Sequence, residues 1–424
     1  MQVELAYGRT WLPVQLPKDI TDVVVPKFVE GLPDEAGALR QALQNPIGSP
    51  PVRELVKPRD RVAIVFCDGT RPMPSHRVLP VLLEEIETVS DVEIVLINAL
   101  GTHRRNTPEE LKEILGEDIA EKYTIVQSFC DEDEAYVEVG TFSDGTSVKL
   151  HRDYVEADVR IVTGFIEPHF FAGFSGGPKL VAPGVAARDT IMYLHSPELI
   201  GHERSIWGLS YREENPLSQA VFEAAKMCPP TFSLNVSLNK HHAITGVFAG
   251  ELEKAHQVGI QFVKDTAMQA VEEPYDIVIT TNSGYPLDQN LYQTVKGLSA
   301  AARIVKDGGV IIAAAECSDG YPDHGNYRDM LLASKSMDCF LAELTDARFN
   351  ITDRWQVQVQ AMVHQKAEIY LYTSGLTDDE VRDAHIKPVR DISQLVKELT
   401  AGKENVRICA LPEGPQTIPY IRER

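Results

Sequence analysis

Asp158-Val159-Arg160-Ile161-Val162-Thr163 runs without a break into Gly164-Phe165-Ile166-Glu167-Pro168-His169, and on through Phe170-Phe171-Ala172-Gly173-Phe174-Ser175-Gly176-Gly177-Pro178-Lys179. The first six residues form a short apolar run of the kind expected of a strand, and the glycines that follow let backbone approach a ligand closely. Similar runs recur at Arg61 to Cys67, Val92 to Ile97, Tyr275 to Thr280 and Val310 to Ala315, with Ala367 to Thr373 and Val406 to Leu411 near the end. Amphipathic stretches of helical length separate them, so the fold class expected is α/β, a sheet wound with helices. Ser233 to Leu238 followed by Ala243 to Phe248 reads as a hairpin.

At 424 residues the chain exceeds one ordinary core, and two wound α/β domains are expected. A charged helix ends near Glu272-Glu273-Pro274 and a fresh strand begins. The expected division is therefore 1–273 and 274–403, with 404–424 rejoining the first domain. A formal charge of −21 repels phosphate backbones and anionic bilayers, so nucleic acid and membrane partners are not expected. No apolar run approaches the eighteen or so residues of a spanning helix. Met1 to Gly8 reads as strand and turn rather than a secretion leader, and the expected location is cytoplasmic. Six cysteines without a C-x-x-C pair fit reduced, mostly buried thiols.

In wound sheets, ligands bind beyond the carboxyl ends of the strands. The first strand opens into Asp68-Gly69-Thr70-Arg71-Pro72, where the arginine suits a carboxylate. The second leads to Gly101-Thr102-His103-Arg104-Arg105, ahead of the capping box Thr107-Pro108-Glu109-Glu110, which places His103 in a loop. The third carries His169 and Lys179. Val185 to His195 then has helical spacing, with Ile191, Met192 and His195 on one face. In the second domain, Asp288 is the expected N-cap of a helix bearing Gln293 and Lys296, three apart and so on one side. A cleft between the domains would receive both sets.

Taken singly, each residue has an ordinary structural reading. Gly176-Gly177-Pro178-Lys179 lacks the G-x-x-x-x-G-K-[ST] spacing of a nucleoside triphosphatase loop. His241-His242 reads as a solvated hairpin turn, while His202 and His256 take no role. Tyr292 and Trp355 are equally suited to the core or to pocket walls, and Phe171 is a further candidate for a wall.

As a set, Asp68-Gly69-Thr70-Arg71-Pro72, Gly101-Thr102-His103, Glu167-Pro168-His169, Phe174 to Lys179, His195, Gln293 and Lys296 resemble the lactate racemases that use a nickel-pincer nucleotide. The resemblance covers nearly the whole chain. It implies a 2-hydroxy acid racemase or epimerase, with a pyridinium mononucleotide carrying two sulfur donors and covalently attached to Lys179. It further implies nickel bound by those sulfurs, a ring carbon and His195, in a geometry that suits Ni(II). Asp68, Gly69, Thr70 and Arg71 would bind the cofactor, His103 and His169 would be the acid/base pair, and Arg71, Gln293 and Lys296 would hold the substrate. Hydride transfer to the ring would give a 2-keto acid that takes the hydride back on its other face. The cofactor implies synthesis proteins as maturation partners. Two other classes fit the same residues less fully: a zinc hydrolase using His103, His169 and His195, and a non-catalytic nucleotide carrier.

Overall fold

In the computed structural model, residues 1–322, 325–346 and 349–422 are described. The chain divides into two compact units. One comprises Phe28–Leu199 and Arg204–Asp265; the other comprises Met1–Lys27, Ile200–Glu203 and everything from Thr266 onward. Each is built on a six-stranded sheet, and the α/β class holds.

In the unit that carries the first three expected strand ends, the strands lie in the order Ile244–Gly250, Phe232–Leu238, Val159–Phe165, Arg61–Cys67, Glu93–Ala99 and Thr124–Gln127. All neighbours run parallel except the Phe232–Leu238 and Ile244–Gly250 hairpin. Helices cover both faces of such a sheet, so its central strands are apolar throughout rather than alternating. Arg61–Cys67 shows this: Val62, Ala63, Ile64, Val65 and Phe66 are all 0% exposed. The helix that follows, Ser75–Ile86, adds Val78, Leu79, Leu82 and Ile86 to the core. Chain order along the sheet reverses between Arg61–Cys67 and Val159–Phe165. At such a reversal the connecting helices depart to opposite faces and leave a crevice at the carboxyl ends.

The second unit orders its parallel strands as Lys387–Pro388, Ala367–Tyr372, Val305–Ala314, Tyr275–Thr281, Ile408–Leu411 and Thr21–Val23. The chain ends depart from the expected division. The described residues 404–422 do not rejoin the first domain, because Ile408–Leu411 is an internal strand here and Ile418–Ile421 pairs with Met268–Val271. Nor do the first residues belong with 28–265. The hairpin of Gln2–Tyr7 and Thr10–Gln15 packs Val3, Leu5 and Val14 against Ile277, Ile279, Ile312 and Ile408. That apolar face covers the sheet where a helix would otherwise lie, a long-range pairing no local pattern announces. Among the described residues no helix is long and apolar enough to cross a membrane.

Ile64→Ala leaves a cavity in the middle of the first sheet. Its unfolding free energy, measured by urea titration, is expected to fall by about 2–5 kcal/mol with an unchanged slope.

Candidate active site

The crevice is built from the loops that leave the two central strands. Directly after Arg61–Cys67, Asp68 is only 4% exposed. Its Oδ1 accepts the Thr70 hydroxyl at 2.8 Å, and its Oδ2 lies 2.8 Å from His103 Nδ1. Burial pushes the Asp68 carboxyl up, but the His103 charge and hydrogen bond, the Arg71 charge and the Thr70 hydrogen bond together outweigh it and hold it below the usual carboxylate range. A carboxylate only accepts, so His103 Nδ1 carries a proton, and in the neutral ring Nε2 holds the lone pair. The imidazole stays 37% exposed while Asp68 is covered. The pair therefore presents a reachable base on a buried anchor.

His103 lies in a loop, as expected, and the capping box at Thr107 and Glu110 forms ahead of Pro108–Leu115. That loop is tied to the one carrying Lys179. Gly101 donates its N–H to Gly184 O at 3.1 Å, and Gly184 donates to Lys179 O at 3.0 Å.

After Val159–Phe165, the chain makes a small hairpin in which His169 faces Gly173. A Cβ at Gly173 would fall 1.8 Å from Leu209 O, at φ +74°, so only glycine closes this turn. His169 is buried, and its Nδ1 accepts the Ala172 N–H at 3.3 Å. In its neutral form the ring then carries its proton on Nε2, the opposite arrangement to His103. Lys179 sits on a single tight turn, Gly177–Leu180. His195 caps the helix Arg188–Leu194, one turn shorter than the expected Val185 to His195. Its Nδ1 lies 2.8 Å from Ile191 O. A carbonyl also only accepts, so Nδ1 is the donor and Nε2 holds the lone pair, the state in which histidine binds metals.

The Phe171 ring brings these groups together. Its centroid is 4.6 Å from that of His169, 5.6 Å from that of His195, and 5.8 Å from Lys179 Nζ. Among the described residues no group of three or more histidine, cysteine, aspartate or glutamate side chains is placed to hold a metal ion. The cluster of His103, His169 and His195 that a zinc hydrolase would need is therefore not found among the described residues.

Known proteins supply the family. The lactate racemase N-terminal domain model matches residues 7–208, and the lactate racemase C-terminal domain model matches 270–418. The chain belongs to the lactate racemase family. It is 35% identical to a lactate racemase from Thermoanaerobacterium thermosaccharolyticum, over 100% of this chain and 99% of that one. It is also 35% identical to a lactate racemase from Lactiplantibacillus plantarum, over 90% of each chain. The structure of the T. thermosaccharolyticum lactate racemase apoprotein superposes with a TM-score of 0.91 at 34% identity, covering 100% of both chains. A Thermotoga maritima protein shares the fold at TM-score 0.70 and 19% identity, covering 93% of this chain and 100% of that one. Membership of the family makes the chain an isomerase, which sets aside the carrier reading.

In this family member the helix bearing Gln293 and Lys296 is Leu291–Ala302, and its cap is Asn290, whose Oδ1 accepts the Gln293 N–H at 3.1 Å. Asp288, the expected cap, is instead fully buried, and its Oδ2 accepts from Gly8 N–H at 2.7 Å and Glu316 N–H at 3.0 Å. The loop runs two residues further than the pattern suggested before the backbone turns helical. Trp355 and Tyr292 meet through a 3.1 Å bond from Nε1 to the phenol oxygen. Sequence reasoning missed Asn235 and His256, both buried against the lysine turn. A lone histidine on an amphipathic helix gives no local signal of this.

Burial depresses the His256 pKa to about 4. Between that value and the ordinary 6.5 the unfolded chain binds a proton that the folded chain refuses, so stability falls as pH drops through this window. The urea midpoint is expected to decline from pH 7 to pH 4.5, and His256→Gln should flatten part of that decline.

Proposed function

We propose that this chain inverts the carbinol carbon of lactate or a closely related small 2-hydroxy acid, with His103 and His169 as its acid/base pair and Lys179 and His195 as cofactor ligands. The observation that carries the reading is the gathering of His169, Lys179 and His195 about one phenyl ring, with the His103 loop bonded to the same lysine turn through Gly184.

The residues present fit a nickel-pincer nucleotide. With Nδ1 committed to Ile191 O, His195 would hold nickel through Nε2. Lys179 offers an amine for covalent attachment. When bound, such a group supplies the hydride acceptor that spares the enzyme a carbanion.

The chain's own groups do the rest. His103 Nε2 takes the hydroxyl proton of one enantiomer, while Asp68 holds the ring in the tautomer that makes this possible. His169 Nε2 delivers a proton to the keto oxygen on the other side. Running the reaction in reverse exchanges the two roles. Arg71 grips the substrate carboxylate, with Gln293 and Lys296 as further substrate contacts. Both oxygens of Asp68 are engaged by Thr70 and His103, so we assign Asp68 to orienting His103 and leave the nucleotide to Gly69, Thr70 and Arg71. Maturation then requires the proteins that synthesise the cofactor.

The test is to co-express the chain with those proteins and offer single-enantiomer lactate. Optical rotation should decay to zero, with stoichiometric nickel and an added mass on the Lys179 peptide. His103→Ala and His169→Ala should each lower kcat by about 10²- to 10⁴-fold while keeping nickel and added mass. Racemisation by a protein with neither nickel nor added mass would overturn the proposal.

A further inference from the structure

The turn that presents Lys179 has little to hold it in place by itself. Gly176, Gly177 and Pro178 precede the lysine, and a single 3₁₀ turn has no independent stability. Two side chains from elsewhere in the same unit fix it.

Asn235, fully buried on the Phe232–Leu238 strand, accepts the Gly177 N–H at Oδ1 over 2.9 Å, while its Nδ2 donates to Ser233 Oγ at 2.7 Å. His256, 2% exposed on Leu252–Ala267, lies with Nε2 2.9 Å from Ser175 O; the carbonyl only accepts, so the ring donates. Its imidazole also occupies the space a side chain at Gly177 would need. A Cβ there would stand 2.6 Å from the ring, at φ +50°. At Gly176, with φ +72°, a Cβ would stand 2.7 Å from Asn235 Oδ1. The two glycines are therefore required by the clamp as well as by any ligand. Behind the imidazole, Tyr211 stacks at 6.3 Å and 15°. Burial keeps His256 uncharged near neutral pH, so it serves here through shape and one donated hydrogen bond.

We infer that Asn235 and His256 are positioning residues that lock the Ser175–Lys179 turn, so that the lysine amine is presented for covalent attachment of the nucleotide. The inference rests on the reading above that Lys179 carries a covalent group.

Two measurements test it. Hydrogen–deuterium exchange on the cofactor-free protein follows the backbone of residues 173–184, and mass analysis of the matured protein follows occupancy at Lys179. Asn235→Ala removes the acceptor, His256→Phe keeps a ring but removes the donor, and His256→Gln keeps a donor. His364→Phe is the control, since His364 is a half-buried histidine whose pKa burial likewise lowers to about 4, in the other unit. Asn235→Ala and His256→Phe should speed exchange at 173–184 by about tenfold or more and cut occupancy several-fold, with His256→Gln closer to wild type and the control unchanged. Wild-type exchange and full occupancy in His256→Phe would overturn the inference, as would an equal loss in His364→Phe. If Asn235→Ala does not fold, the His256 pair decides. A wild type without added mass would overturn the attachment reading alone, while the exchange data would still judge the clamp.

Discussion

The parallel pairing of Arg61–Cys67 with Val159–Phe165 is the constraint on which the site depends. Val62, Ala63, Ile64 and Val65 lie in register with Val159, Arg160, Ile161 and Val162, and the Thr163 hydroxyl donates to Val65 O at 2.8 Å. Parallel strands in register end together. Their loops, one beginning at Asp68 and the other leading to His169 and Lys179, are forced to leave the sheet side by side. Because chain order reverses at this pair, no crossover helix fills the space above it. Asp68, His169 and Lys179 hang from those two strand ends, and His103 from the neighbouring one, Glu93–Ala99.

Much of this was legible in the sequence because buried parallel strands write themselves as unbroken apolar runs. Arg61–Cys67 and Tyr275–Thr281 match the apolar runs to within a residue; His103, His169 and Lys179 stand in loops after strands, and His195 ends the helix that follows the lysine turn. What was not legible depends on distance in the chain. Met1 to Gly8 reads correctly as strand and turn, yet nothing local says that the hairpin it opens covers the sheet holding Ile277 and Ile408. The cap at Asn290 was missed because Asp288 has the same capping chemistry, and only the tertiary bonds to Gly8 and Glu316 divert it. Asn235 and His256 were invisible for a similar reason, since their partners lie dozens of residues away.

The electrostatics divide into bulk and site. An overall charge of −21 sets solubility and repels polyanions, but it does not prevent a few cations from receiving a carboxylate. Near His103, Arg104 pairs with Glu110 and Arg105 with Glu132, both in exposed positions where such pairs add little stability. Asp68 differs because it is covered, bonded through both oxygens and fixed to one nitrogen of the His103 ring. Its worth lies in setting a tautomer rather than in holding the fold together.

The same logic governs His195, whose Nδ1 lies 2.8 Å from Ile191 O, so that Nε2 is the nitrogen we assign to the metal. X-ray absorption at the nickel edge of the matured protein addresses this directly. The expected spectrum shows one imidazole among the nickel ligands, and that contribution disappears in His195→Ala. A spectrum with two or three imidazoles, or one that His195→Ala leaves unchanged, would mean that the metal sits elsewhere and that the gathering around Phe171 serves another purpose.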